Sequence, residues 1–378
     1  MQFSTKAIHV GQEPDPSTGS VIPPIHMTST YAQEAPDIHR GYDYTRANNP
    51  NFVNLELTLA ALEQAKYATV FSSGLGALTA LVSTLASGDK VLATNDLYGG
   101  TYRLFVKVFR KFGIEIEVVD TQDLDAVEAA LKSKPKMILI ESPSNPLLRI
   151  SDLEAIGKLA RKYGVRSLVD NTFASAYLQN PIALGIDVVL HSTTKYIGGH
   201  SDIIGGVVIS DDQELKKEMD FARKALGLNP SPFDCWLASR GVKTLALRME
   251  KHCENAKKLA AFLANHKSVK KVYYPGLADH PLHAVAKKQM RHFGGMISVQ
   301  FDMELEKALK LASSLKLFTL AESLGGVESL VGYPSAMTHA SIPEKDRSKI
   351  GNLEGIIRFS VGIEDGNDLV EDVKMALE

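Results

Sequence analysis

Between residues 51 and 240, short apolar runs alternate with stretches whose apolar positions recur at helical spacing. The runs are Thr69–Phe71, Lys90–Ala93, Ile116–Val119, Met137–Ile140, Ser167–Val169 and Val188–Leu190. Alternation of this kind predicts βαβ units, and so a mostly parallel sheet with helices on both faces. Gly205–Ile209 adds a further strand, with an antiparallel course open to it. One intervening helix carries a start signal, Ser151-x-x-Glu154, and a stop at Gly164.

Beyond this region the pattern changes. Ser231–Ala264 reads as one long helical region, with no proline after Pro232. A strand (Met296–Phe301), a helix (Glu304–Ser314) and a strand ending in Arg358–Val361 predict a smaller α+β domain. At the other end, Pro14, Pro16, Pro23, Pro24, Pro36 and Pro50 interrupt any long helix and apolar periodicity is poor. That arm either wraps a neighbouring subunit or covers a sheet edge. The expected division is an arm (1–50), a large domain (51–240) and a small C-terminal domain (241–378).

Composition narrows the function mainly by exclusion. The 378 residues hold 42 Lys+Arg against 44 Asp+Glu, a net charge of −2, with no single-sign block. No basic footprint for nucleic acid or an acidic membrane is visible. Cys235 and Cys253 are too few for a disulfide framework and lack metal-type spacing, so no metal is expected. His280-Pro281-Leu282-His283 reads as a loop with solvated imidazoles. No apolar leader follows Met1, and Leu75–Ala86 is too short to span a bilayer, so a soluble cytoplasmic protein is expected.

Ligands of open α/β sheets bind beyond the carboxyl ends of the strands, which turns the strand list into a list of candidate site residues. Ser72-Ser73-Gly74-Leu75-Gly76 follows the first run and opens a helix, whose free N–H groups and positive dipole end suit a phosphate. Tyr98 follows the second run, Glu141-Ser142-Pro143-Ser144-Asn145-Pro146 the fourth, and Asp170 ends the fifth. After the sixth comes His191-Ser192-Thr193-Thr194-Lys195, where a lysine flanked by hydroxyls is unusual because Lys is rarely buried unpaired. Singly, each has a plain structural use as a cap, a turn or a bridge. Together they meet the needs of pyridoxal phosphate: donors for its phosphate, a ring to stack on, a carboxylate for its pyridinium nitrogen and an amine for its aldehyde.

At this point the chain resembles a known family. Asp187-Val-Val-Leu-His-Ser-Thr-Thr-Lys195-Tyr-Ile-Gly-Gly-His-Ser201 is similar to the cofactor-attachment signature of the cysteine/methionine-metabolism (trans-sulfuration) enzymes, which have the type I aspartate-aminotransferase fold. The resemblance also takes in Ala7–Gly11, Tyr44-Thr45-Arg46, Tyr98-Gly99-Gly100, Pro143–Pro146, Asp170–Phe173, Ser239-Arg240-Gly241, Leu320–Gly326, Met337-Thr338-His339-Ala340 and Arg358–Gly362. It implies a pyridoxal-phosphate enzyme with Lys195 as attachment lysine and proton carrier. Asp170 would pair with the ring nitrogen, and Tyr98 would stack on the ring and help move protons. Ser73, Gly74, Leu75, Ser192 and Thr194 would hold the phosphate, completed by Tyr44 and Arg46 of a neighbouring subunit in a homotetramer. Asn145, Ser323, Arg358, Glu322, Thr338, Arg103 and Asp43 would surround the substrate, with Asn145 also beside the cofactor.

Within that family, methionine γ-lyases generally carry Cys where this chain has Gly100, which disfavours a methionine-dedicated enzyme. Some β-lyases have an aromatic residue at the position of Glu322, whereas γ-synthases and γ-lyases usually have Glu. Asp43 stands where γ-lyases often show Glu. Pro230–Cys235 and Arg248–His252 look closest to γ-lyases, so cystathionine γ-lyase is the expected activity, with γ-synthase and β-lyase as the alternatives. A catalytically silent binding protein is disfavoured by the joint presence of Lys195, Asp170 and Arg358. A nucleotide-binding α/β protein is disfavoured by the missing dinucleotide fingerprint.

Overall fold

The computed structural model describes residues 1–338 and 353–378. His339 and Ala340 of the Met337–Ala340 motif lie outside the described residues. Seven strands form the larger sheet: β1 (Tyr67–Phe71), β2 (Lys90–Thr94), β3 (Glu115–Val119), β4 (Met137–Glu141), β5 (Arg166–Asp170), β6 (Val188–Ser192) and β7 (Gly206–Ser210). Their order is β1-β7-β6-β5-β4-β2-β3. The neighbours from β6 to β3 are parallel, while β7 runs antiparallel to both β6 and β1. Each expected apolar run is a strand, and Gly205–Ile209 contributes the antiparallel one.

The inner strands carry continuous apolar runs because helices cover both faces. On one face, Phe71, Leu139, Leu168 and Leu190 pack with Leu78 and Leu81 of the helix Gly74–Val82 and Met219 of the helix Gln213–Leu226. On the other, Ile138, Ile140 and Val169 pack with Leu153 and Ile156 of the helix Leu153–Tyr163. Burying such a side chain fully contributes about 1.5–3 kcal/mol. The edge strand β3 is mostly exposed, and its Glu115 and Glu117 put charge on an edge that could otherwise pair with another chain.

The second sheet has the order β10-β11-β12-β9-β8. It comprises β8 (Val269–Tyr273), β9 (Met296–Phe301), β10 (Thr319–Leu320), β11 (Leu330–Gly332) and β12 (Ile356–Ser360). Ile297, Val299, Ile357 and Phe359 pack against Leu259 and Leu263 of the helix Leu245–Ala264 and Leu369 and Val373 of the helix Gly366–Leu377. Among the described residues no helix is long and apolar enough to cross a membrane.

Three local expectations are corrected. The cap of Leu153–Tyr163 is Asp152, whose carboxylate accepts the Ala155 N–H at 2.9 Å. The Ser151 hydroxyl is taken instead by Thr121 at 2.7 Å. Ser231–Ala264 is two helices, Pro232–Val242 and Leu245–Ala264. The break is filled by Arg248, whose buried guanidinium donates to the carbonyls of Gly241, Tyr196 and Ile197 at 2.8, 2.6 and 3.3 Å, tying the junction to the loop after Lys195. His280 and His283 are half-buried and meet backbone oxygens, those of Leu148 and Pro275, rather than solvent.

The arm is irregular apart from the helix Phe3–His9, which packs through Ala7 and an edge-on contact of Phe3 with Tyr177. Farther along, Val21, Met27 and Ile38 are 75%, 68% and 56% exposed, a run of uncovered apolar side chains. The base of the arm is pinned. The Asn49 amide donates to the His26 carbonyl, and Trp236 donates its indole N–H to the Pro23 carbonyl, both at 3.0 Å.

Candidate active site

A cleft of about 250 Å³ opens beyond the carboxyl ends of β1, β2, β4, β5 and β6, and residues of the second sheet close its other side. Ser73, Tyr98, Asp170, Lys195, Glu322 and Arg358 all line it. So do Gly74, Leu75, Asn145, Ser192, Thr194, Ser323 and Thr338. Residues far apart in the chain are therefore gathered at one sheet edge.

The cationic side is built by long-range pairs. Lys195 follows β6 and donates from Nζ to Ser323 Oγ at 2.7 Å. Burial, then the positive charge of Arg358, lower its amine to about 8, against a smaller opposing influence of Glu322. Arg358 projects from β12, where it is 4% exposed. It donates to Asn145 Oδ1 at 2.9 Å and to the Ser323 carbonyl at 3.1 Å, which fixes its planar fork. Burial, with Glu322 opposing, lowers its guanidinium to about 10. Ser323 itself holds φ +87°, a left-handed conformation uncommon outside glycine and typical of functional sites. Glu322 is exposed at the mouth, with its charge felt by Lys195, Tyr98 and Arg358.

The acidic side sits at the ends of two central strands. Asp170 closes β5 and accepts the Thr172 N–H at 3.0 Å; burial raises its carboxyl, opposed by Thr172 and by the charge of His191. Directly beside it in register, on β4, stands Glu141. Glu141 accepts the Tyr98 N–H at 2.7 Å, and burial, then the charge of Asp170, push its carboxyl well up. Glu141 has no role in the reading of the sequence, although the strand-end rule that marks Asp170 marks it equally. It lines the cleft and orients the turn that carries Tyr98.

Tyr98 precedes the helix Gly99–Arg103, and its ring lies over Gly100. A Cβ at residue 100 would sit 2.3 Å from Tyr98 Cε1, so a larger residue would force this ring to move. The Gly100 noted for its difference from methionine γ-lyases thus shapes the cleft directly. Arg103 is exposed and outside the cleft lining, though its charge reaches Tyr98.

The phosphate-type subsite is a helix start. Ser73 caps Gly74–Val82 by accepting the Gly76 N–H at 2.9 Å, leaving the Gly74 and Leu75 N–H groups at a positive dipole end. Ser192 and Thr194 face the same space. A Cβ on Gly74 would lie 3.0 Å from Ser192 Cβ, so the two turns approach too closely for a larger residue.

Like Arg103, the expected residues Tyr44, Arg46 and Asp43 stay outside the cleft of a single chain. Arg46 donates to the Lys224 carbonyl at 3.0 Å and lies over the half-exposed Tyr44 ring, 5.4 Å from its centroid. Asp43 accepts the Tyr44 N–H. Among the described residues, no group of three or more His, Cys, Asp or Glu side chains is gathered to hold a metal ion.

The family model for Cys/Met metabolism PLP-dependent enzymes matches residues 4–378. The chain belongs to that family. A cystathionine β-lyase of Coxiella burnetii is 49% identical over 99% of this chain and 97% of its own length. A cystathionine γ-lyase of Bacillus subtilis is 48% identical over 100% of both. The crystal structure of a cystathionine γ-synthase from Xanthomonas oryzae pv. oryzae in complex with cystathionine superposes with a TM-score of 0.97 at 42% identity, covering 100% of this chain and 98% of that one. The family establishes pyridoxal phosphate as cofactor and the chain as an enzyme of cysteine and methionine metabolism, with three activities represented at similar identity. The Cys/Met-family cofactor fits the donors present: an open helix start with hydroxyls for the phosphate, a buried carboxylate for the ring nitrogen and a desolvated amine for the aldehyde.

Proposed function

We propose that this enzyme is a cystathionine γ-lyase, converting L,L-cystathionine and water to L-cysteine, 2-oxobutyrate and ammonia. The observation that favours it over a β-lyase is Glu322, while the segments Pro230–Cys235 and Arg248–His252 favour it over a γ-synthase. The exposed carboxylate of Glu322 lines the cleft within electrostatic reach of Lys195 and Arg358, where it would receive a distal ammonium.

Bound pyridoxal phosphate supplies the electron sink for a carbanion at the substrate α-carbon. The chain's own groups do the rest. Arg358, steadied by Asn145 and Ser323, grips the α-carboxylate through its fork. The Lys195 amine, kept partly neutral by burial, takes the α-proton. Lys195 and the Tyr98 hydroxyl then move the Cβ proton and deliver a proton to the departing sulfur, help of a kind that contributes roughly 10²–10⁴-fold. Asp170 holds the proton on the ring nitrogen. Ser73, Gly74, Leu75, Ser192 and Thr194 hold the phosphate.

Tyr44 and Arg46 complete the phosphate site of a neighbouring subunit in a homotetramer, a reading supported by their place outside their own cleft and by the uncovered apolar arm. Arg46→Ala should weaken cofactor affinity by about tenfold to a hundredfold, the worth of a charge-assisted hydrogen bond. Full affinity in that variant, or in a monomeric form of the enzyme, would exclude the exchange. We place the enzyme in the cytoplasm; a fluorescently tagged copy localised elsewhere would refute that.

Glu322→Gln tests the distal contact. It should raise KM for cystathionine about tenfold or more while leaving turnover of a substrate without a distal ammonium nearly unchanged. Equal losses on both substrates would remove the basis for preferring cystathionine. A γ-synthase would instead convert an O-acyl-homoserine and cysteine to cystathionine faster than it cleaves cystathionine.

A further inference from the structure

Near its C-terminal end the helix Gln213–Leu226 carries a buried charge that the proposed chemistry does not use. Arg223 is 1% exposed, stands outside the cleft lining, and lies over the Phe52 ring, 5.4 Å from its centroid. It pairs with Glu56 of the helix Pro50–Leu62, Nη1 to Oε1, at 2.5 Å. Glu56 is itself anchored. Its Oε1 accepts the Val70 N–H of β1 at 3.0 Å, and its Oε2 accepts from Lys216 Nζ at 3.2 Å. A planar guanidinium pinned in this way has one orientation, and burial excludes the water that would compete for its other donors.

The second nitrogen of the fork reaches the arm. Nη2, 3.5 Å from the Asp220 carboxylate, donates to the Ala47 carbonyl at 3.0 Å. Ala47 belongs to the turn that starts at Tyr44, whose carbonyl accepts the N–H groups of Ala47 at 2.9 Å and Asn48 at 3.1 Å. Arg46 stands within this turn, and its Nη1 donates to the carbonyl of Lys224, the residue after Arg223, at 3.0 Å. Two contacts that seat the Tyr44–Ala47 turn on the large domain therefore come from the last turn of one helix. The same helix end serves its own cleft through the main chain, where the Leu228 carbonyl accepts the Ser72 N–H at 2.8 Å.

We infer that Arg223 is a positioning residue for the cofactor of the neighbouring subunit: locked by Glu56, it fixes the Ala47 carbonyl and so sets where Arg46 meets that subunit's phosphate. A turn seated before the phosphate arrives loses less freedom on contact, and affinity rises accordingly. The effect falls on the neighbour's cleft, since the chain's own phosphate turn is held by the Leu228 carbonyl and not by the guanidinium. The inference rests on the reading that Tyr44 and Arg46 complete a neighbouring subunit's phosphate site.

The test uses hybrid oligomers of two full-length copies. One copy carries Arg46→Ala, so its arm lacks the phosphate contact; the other carries Lys195→Ala, so its cleft cannot hold the cofactor covalently. Only a hybrid pair joins an intact Lys195 to a neighbour's intact Arg46. Borohydride reduction followed by mass spectrometry counts the cofactor fixed on Lys195 at each concentration of pyridoxal phosphate. Arg223→Lys, which keeps a charge beside Glu56 but lacks the second nitrogen that reaches Ala47, is then added to either copy. On the Lys195→Ala copy it should raise the half-saturating concentration of the hybrid cleft about tenfold, the scale of one charge-assisted hydrogen bond. On the Arg46→Ala copy it should leave that concentration unchanged. A loss from the Arg46→Ala copy, alone or equally with the other, would make the ion pair a brace of the fold and overturn the inference. No loss from either copy would overturn it too. A hybrid that, before Arg223 is altered, binds no more tightly than the Arg46→Ala parent would instead overturn the arm reading itself.

Discussion

Lys195→Ala should lower kcat by roughly 10⁴-fold or more, because one substitution removes both the covalent anchor of the cofactor and the principal proton carrier. Lys195 is half-buried and donates to the Ser323 hydroxyl rather than to a carboxylate, so its loss leaves no buried charge unpaired and the fold should persist. Circular dichroism and the retained binding of pyridoxal phosphate, now without the covalent link, separate loss of chemistry from loss of structure. A variant with more than a few per cent of normal turnover would refute the assignment. The same residue sets a pH dependence. Burial and Arg358 bring its amine from 10.5 down to about 8 in the folded chain, so the neutral, nucleophilic form grows tenfold per pH unit below 8 and levels off above. The rate at which cofactor-stripped enzyme captures pyridoxal phosphate should follow that curve. A rate still rising tenfold per unit near pH 10 would show that the pocket does not depress this lysine.

Arg358→Ala should cost about 10²–10³-fold in kcat/KM. A charge-assisted contact is worth about 1.5–3 kcal/mol, and a substrate no longer oriented loses a further factor of order 10². Arg358→Lys keeps the charge but not the fork that Asn145 and the Ser323 carbonyl hold in place, so it should recover only part of the loss. Cofactor affinity should change little in either variant. Full activity in the lysine variant would show that a point charge suffices and that the fixed fork is not used.

The parallel strands were legible because helices bury them on both faces, and burial of that kind writes uninterrupted apolar runs into the chain. The strand-end rule then located Asp170, Tyr98 and the Lys195 turn. What the pattern could not supply was neighbourhood. Glu141 becomes a partner of Asp170 only once β4 and β5 are known to lie side by side. Arg358 meets Asn145 across a separation of 213 residues, a contact no local spacing encodes. Ser151 and Asp152 are equally good caps by residue type, and the choice between them falls to the Thr121 hydroxyl waiting for the serine. The helix break before Leu245 depends on Arg248 reaching the loop after Lys195, again a tertiary event. His191 meets Glu63 across 128 residues, another contact that no local spacing encodes.

The most direct measurement is product identification after the enzyme, loaded with pyridoxal phosphate, is incubated with L,L-cystathionine. Cysteine with 2-oxobutyrate and ammonia, and little pyruvate, is the result this account predicts. Homocysteine with pyruvate would make the enzyme a β-lyase and contradict it, as would cystathionine left intact by an enzyme that forms it readily from an O-acyl-homoserine and cysteine.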